Sequence, residues 1–233
     1  MYLSMLFALR YEDIFILAGN NAGRVDSRFK YAQEHAEEII NDLKNGTISK
    51  RINITEDERK LFEGYLEPHV ERAVFLESLL NKGKEFFIPK YYWPYLMGAM
   101  FWLGGSVGVN VDKLKPYLPE TVFYFDVGYG ASEGKINIPF KPSTAEGTLG
   151  IASIFYEFIS MDNGEILTAD QLELNKEYDI LLTTYSGLYR YPLHDIVKVT
   201  GFMGNTPNIE FVSKSKEILN VAQEKVPAPM VVD

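Results

Sequence analysis

Apolar positions in the first third of the chain recur at helical spacing. Phe29, Ala32, Ala36, Ile39, Ile40 and Leu43 fall on one helical face. Asp26 and Ser27 are suited to cap that helix, which runs to about Lys44 and stops at Gly46. Thr55-Glu56-Asp57-Glu58 reads as a capping box for a further short helix. Pro68 suits the first turn of another, ending near Gly83.

The period then changes. Leu96 to Leu103 is a continuous apolar run bounded by Gly104-Gly105, as expected of a buried strand. Val111 to Tyr117 reads as a short helix, and Thr121 to Val127 is β-branched and aromatic, hence a second strand. This order predicts a βαβ unit with a parallel sheet. From Gly150 the pattern is β throughout. Strands are expected over Ile151–Ile159, Tyr178–Tyr185, Ile196–Gly201 and Ile209–Ser213, with turns at Asp162-Asn163-Gly164 and Gly204-Asn205. The predicted class is α/β: a mainly helical part (1–90), a βαβ parallel-sheet core (91–149) and a β-rich part (150–226). Pro227-Ala228-Pro229 reads as a linker or hinge, placing 227–233 outside the domain.

Composition narrows the chemistry. The 233 residues are 46% hydrophobic, enough to bury a substantial core. A formal net charge of −9 argues against broad binding to nucleic acid or to anionic membrane. With no cysteine, a thiol nucleophile, a disulfide framework and a Cys-zinc site are excluded. The three histidines, His35, His69 and His194, lack metal-ligand spacing. Met1 to Leu9 is apolar but has no basic segment or cleavage site, so a cytoplasmic protein is expected.

Two segments carry candidate chemistry. Gly128-Tyr129-Gly130-Ala131-Ser132-Glu133-Gly134 is a glycine-rich turn following a strand, where open α/β sheets bind ligands. Tyr189-Arg190-Tyr191-Pro192-Leu193-His194-Asp195 leads into a later strand. Together they suggest a nucleotide and metal site. The first also fits G-x-S-x-G, the nucleophile elbow of a serine hydrolase, with Ser132, Asp170 or Asp179, and His194 in triad order. That elbow needs a helix directly after the serine, and residues 135–142 hold two prolines and no helical period. A plain tight turn between two strands is the simpler alternative. Taken alone, Tyr189 and Tyr191 suit a core and Arg190 a surface ion pair.

As a set, these segments resemble the GH3 acyl-acid amido synthetases, a branch of the acyl-adenylate-forming superfamily that includes firefly luciferase. Tyr129-Gly130-Ala131-Ser132-Glu133 is similar to the superfamily's Tyr-Gly-x-Thr-Glu motif, and Ile154-Phe155-Tyr156-Glu157-Phe158 to the family's Tyr-Phe-Glu-Phe stretch. Leu182 to Tyr191 is close to its Thr-Thr-Tyr-Ala-Gly-Leu-Tyr-Arg-Tyr block, continued by Asp195 to Phe202. The resemblance implies adenylation of a carboxylic acid by ATP with Mg²⁺, then conjugation to an amino acid. It implies adenine stacking on Tyr129 within the turn that includes Gly130 and Ala131, a phosphate contact from Ser132, and Mg²⁺ on Glu133. Ribose contacts fall to Asp195 and Lys214, a phosphate contact to Lys225, and the acyl pocket to Tyr156 and Phe158. The family's Gly-Asp is His194-Asp195 here. Its hydroxyl-rich phosphate loop and its small C-terminal domain have no counterpart, so the chain reads as an internal piece of the large domain that does not complete amide synthesis. An acyl-thioester ligase of the same superfamily and a non-catalytic nucleotide- or partner-binding remnant are the competing readings.

Overall fold

A computed structural model describes residues 1–104, 111–215, 218–221 and 224–227, the last two stretches by their backbone alone. Two compact units result, Met1–Phe101 with Val109–Tyr124, and Trp102–Gly108 with Phe125–Asp233. Gly105, Ala228 and Pro229, named above as a strand boundary and a linker, lie outside the described residues.

The first unit is mainly helical. α1 (Tyr2–Leu9) buries Tyr2, Met5, Leu6 and Leu9. The long helix expected from Asp26 to Lys44 is two helices, α2 (Ala22–Glu34) and α3 (Ala36–Asn45). The break is His35, whose φ of −113° and ψ of 23° leave the helical region. The apolar spacing runs through this break unchanged, which is why periodicity alone joins the two. Asn21, not Asp26, caps α2, its side chain accepting from Gly23 N. Asp26 is buried inside the helix and pairs with Lys30 at 2.8 Å.

Gly46 ends α3 with φ at 68°, where a Cβ would stand 2.4 Å from the Leu66 carbonyl oxygen. Glycine is therefore required on both conformational and steric grounds. Thr55 and Glu58 form the expected reciprocal box ahead of α4 (Glu56–Glu63). α5 (Val70–Leu80) begins after His69, so Pro68 precedes the helix rather than opening it. The His69 amide donates to the Leu43 carbonyl at 2.9 Å, tying this entry segment to α3. Arg72 of α5 is buried and donates to the carbonyls of Leu9, Tyr11 and Tyr92. It thereby satisfies carbonyls that would otherwise be orphaned near helix ends. α6 (Pro89–Tyr92) is a single turn.

A three-stranded sheet has the order β1 (Ile16–Ala18), β2 (Gly98–Phe101), β3 (Phe123–Asp126). β1 and β2 are parallel, with Ile16 opposite Gly98. The helix expected over Val111–Tyr117 is instead short 3-10 structure, including Lys115–Tyr117 with Pro116 in its first turn. Pro116 has no N–H to bond the carbonyl four residues before it, and its ring crowds that carbonyl, which interrupts an α-helix there.

The second unit is built on a seven-stranded antiparallel sheet. Its order is β6 (Asn137–Ile138), β7 (Gly147–Leu149), β12 (Thr206–Lys214), β11 (Tyr191–Met203), β10 (Glu177–Thr184), β8 (Ile154–Ser160), β9 (Ile166–Thr168). Alternation decides its faces: Tyr156, Phe158, Tyr178, Ile180, Leu182, Val197 and Val199 are buried in one core with Tyr129 and Ile136. Two short hairpins are separate, β4 (Gly130–Ala131) with β5 (Gly134–Lys135), and β13 (Ile218–Val221) with β14 (Glu224–Pro227). No helix among the described residues is long and apolar enough to cross a membrane.

Candidate functional site

The glycine-rich segment is a hairpin, with Ser132 and Glu133 as its two-residue turn between β4 and β5. Its root is fastened by two buried polar side chains. Asp126 accepts from Leu103 N at 2.6 Å and from Gly128 N at 2.5 Å. Burial pushes the Asp126 carboxyl pKa up, and those two amide bonds partly oppose the shift. Asn137, fully buried, accepts from Tyr129 N at 2.7 Å and donates to the Ile209 carbonyl at 3.0 Å. Gly128 has φ at 83°, and a Cβ there would meet Lys135 Nζ at 2.5 Å. Neither Asp126 nor Asn137 lies in a recognisable pattern, so sequence reasoning missed both.

The strand pair β4–β5 also removes the hydrolase reading, because a strand follows Ser132 where the elbow demands a helix. Ser132 is exposed and Glu133 half-buried at the turn. Among the described residues, no group of three or more His, Asp or Glu side chains converges as a metal site.

Tyr129 and Asp195 meet. The Tyr129 hydroxyl donates to Asp195 Oδ2 at 2.5 Å, and both residues are buried. Burial first, then the Asp195 charge, drive the phenol pKa far above its ordinary value. The Tyr129 ring packs on Phe211, centroids 5.4 Å apart, and has 3% of its surface exposed. As placed, it presents no open face for a base to stack on. Lys214, the cross-strand partner of Asp195, forms an ion pair with Oδ1.

A bulge brings Asp195 to this position. Asp179 of β10 is opposite Ile196, and Leu181 is opposite Pro192. Ile180 alone therefore faces Leu193, His194 and Asp195. His194 absorbs the excess with φ at 57°, its carbonyl accepting from Ser215 N at 2.9 Å. Bulges of this kind re-aim a side chain that the ladder would otherwise fix. The glycine of the family motif suits this backbone, and histidine here adopts it under strain. Asp179 Oδ2 lies 4.0 Å from His194 Nδ1, so two residues of the triad order are near neighbours without the helix that the serine elbow requires.

The remaining candidates are placed elsewhere. Tyr156 and Phe158 point into the core, 3% and 0% exposed, so neither lines an open pocket. Phe155, on the opposite face of β8, is 59% exposed. It lines a groove of about 350 Å³ with Ile151, Ala152, Ser153, Thr183, Thr184 and Tyr185. Arg190 donates to Glu157 Oε2 at 2.8 Å, the surface ion pair expected of it, while Tyr189 is exposed rather than core. Lys225 falls on β14, and its side chain lies outside the described residues.

Comparison with known proteins gives one family. The model of the GH3 family N-terminal domain matches residues 1–123, and that of the GH3 family central domain matches 147–214. The chain is 26% identical over 246 residues to the indole-3-acetic acid-amido synthetase GH3.2 of Arabidopsis thaliana, covering 97% of this chain and 44% of that protein. It is 26% identical over 243 residues to the jasmonoyl–L-amino acid synthetase JAR6 of Nicotiana attenuata, covering 97% and 41%. The chain thus spans less than half the length of these curated relatives. The structure of AtGH3.15 acyl acid amido synthetase in complex with 2,4-DB superimposes with a TM-score of 0.81 at 22% identity, over 96% of this chain and 40% of that one. That likeness is one of fold, a mixed α/β architecture with helices, a parallel strand pair and a large antiparallel sheet. With more than half its residues matched by one family model, the chain belongs to the GH3 family.

Proposed function

We propose that this protein serves an ATP-dependent acyl-acid amido synthetase reaction. The observation that carries it is the meeting of Tyr129 with Asp195, two motif residues distant in sequence, at one buried contact. A carboxylate attacks the α-phosphorus of ATP, and pyrophosphate leaves with the P–O bonding pair. An amino-acid amine then attacks the acyl carbon of the adenylate, loses its proton, and expels AMP.

The residues present fit parts of a nucleotide. The exposed Ser132 hydroxyl suits a phosphate oxygen. Glu133 suits Mg²⁺, which keeps several waters and takes one or two carboxylates along with phosphates rather than a full protein cage. Mg²⁺ would offset charge on the departing pyrophosphate. Asp195 Oδ1, buried against the Lys214 ammonium, would take a ribose hydroxyl once that side chain moves aside. The groove beside Phe155, rather than the core around Tyr156 and Phe158, has room for the apolar part of an acid. The partners in this reading are a small carboxylic acid and an amino acid, and the compartment is the cytoplasm.

The test incubates the protein with ATP, Mg²⁺, a panel of aromatic and fatty acids and mixed amino acids. Mass spectrometry for acyl–amino-acid conjugates is paired with acid-dependent pyrophosphate release and with nucleotide affinity of the 233-residue chain. Nucleotide binding or acid-dependent pyrophosphate release that is lost in Asp195→Ala supports the reading, and conjugates above that control would show that the chain completes amide synthesis, against the expectation from its sequence. Pyrophosphate release with transfer only to an added thiol points to another branch of the superfamily. Absence of nucleotide binding removes the assignment.

A further inference from the structure

Tyr129 is gripped at both its ends. Its ring rests on Phe211, which rests in turn on Trp102 at a centroid distance of 5.6 Å. Its amide donates to Asn137 Oδ1, and its carbonyl accepts from Ile136 N at 2.9 Å and Asn137 N at 3.2 Å. A side chain held this way presents its hydroxyl at a constant place. Burial and the neighbouring Asp195 charge keep that hydroxyl protonated throughout the physiological range, so it is always a donor toward Oδ2.

The two oxygens of Asp195 differ. Oδ2 is committed to the phenol at 2.5 Å. Oδ1 is buried, and among the described residues no aligned hydrogen bond reaches it. The Lys214 ammonium lies against it as an ion pair, on a side chain 30% exposed and long enough to move. A carboxylate held through one oxygen turns about its Cβ–Cγ bond only by breaking that hydrogen bond, so the phenol, together with the more mobile Lys214, sets the direction of the other oxygen. The bulge at Leu193–Asp195 supplies no such control, because it sets the course of the backbone and leaves the side-chain torsion free.

We propose that Tyr129 is a positioning residue whose hydroxyl orients Asp195 so that Oδ1 faces the vicinal diol of a nucleotide's ribose. The proposal rests on the nucleotide reading given above. It assigns the motif tyrosine a task that its ring cannot perform, and which phenylalanine cannot replace.

Tyr129→Phe keeps the ring and removes the hydroxyl. Affinities for AMP and for 2′,3′-dideoxy-AMP are measured by calorimetry on the whole chain, as wild type, Tyr129→Phe and Asp195→Asn, with circular dichroism as the check on folding. The wild type is expected to prefer AMP by about tenfold or more, the value of a hydrogen bond to a charged acceptor. Tyr129→Phe is expected to lose most of that preference while its affinity for the dideoxy compound stays within about twofold. A purely structural role would lower both affinities together. An unchanged preference in Tyr129→Phe overturns the proposal and leaves only the ring in use. Tighter AMP binding by that variant also overturns it, making the bond a closure that nucleotide must break. No preference in the wild type, or no binding, removes the nucleotide reading itself. If Tyr129→Phe does not fold, Phe211→Leu loosens the ring and keeps the hydroxyl. The preference then falls if the grip matters and is unchanged if it does not.

Discussion

The Tyr2 hydroxyl donates to Asp42 Oδ2 at 2.5 Å, joining α1 to α3 across 40 residues of sequence. Asp42 also accepts from Ser49 N at 2.5 Å and from Thr47 Oγ1 at 3.1 Å, and it is 3% exposed. Asp42→Ala therefore strands a buried phenol and a backbone amide. We expect a loss of about 2–4 kcal/mol, against about 1–2 kcal/mol for Tyr2→Phe, since unpaired buried donors carry the larger penalty. Urea unfolding of both variants checks this; equal losses would mean that water replaces the carboxylate.

The two faces of β8 give an opposed pair. Phe158 is fully buried and Phe155 is 59% exposed. Phe158→Ala should cost about 3–5 kcal/mol through the cavity it leaves. Phe155→Ala should stay within about 0.5 kcal/mol, as surface changes do. If Phe155 serves the acid, its replacement raises the KM for that substrate with little effect on that for ATP. Thermal melts and steady-state kinetics separate the two effects.

Acid should weaken the helical unit through Glu38. The Arg51 guanidinium, bonded to Glu38 Oε2 at 2.5 Å, holds that carboxyl below its usual range, with help from the Ser49 hydroxyl and against the effect of burial. A depressed folded-state pKa stabilises the fold above the unfolded value of about 4.3, and the benefit is lost as pH falls through the folded one. Glu38→Gln should flatten the decline of Tm below about pH 4.5, by about 2–4 °C. Identical Tm profiles for variant and wild type from pH 3 to 7 would exclude this contribution.

His194 sits at φ 57°, in the left-handed region. His194→Gly removes that strain but frees the unfolded chain, so a net gain of about 0.5–1 kcal/mol is expected. A loss instead would show that the imidazole's contacts near Asp179 and Ser215 outweigh the strain. Equilibrium denaturation gives the sign directly.

Local signals in the sequence indicated much of this fold. The Thr55–Glu58 box and the β-patterned runs of β8 and β10 each need only near neighbours, and they form close to the expected places. β1 was missed because it has three residues, none fully buried, and acquires its identity from pairing with β2. The helix break at His35 was missed because the apolar stripe is the same on both sides of it. At the candidate site, motif residues pointed to Tyr129 and Asp195 as partners in one place. Which face of each was available was not legible, because burial of Tyr129 depends on Phe211 and Asn137, brought in by other strands. Phe155 was passed over for its neighbours since an alternating strand does not announce which parity faces the core.

The bulge opposite Ile180 makes chain length, as much as residue identity, a determinant at this position. Removing a single residue between Pro192 and Asp195 would draw the ladder toward regular pairing and shift Asp195 along it, away from Tyr129, with every motif residue still present. A homologue can thus carry the whole motif and still lack the site, and counting residues between the tyrosine block and the aspartate separates the two cases.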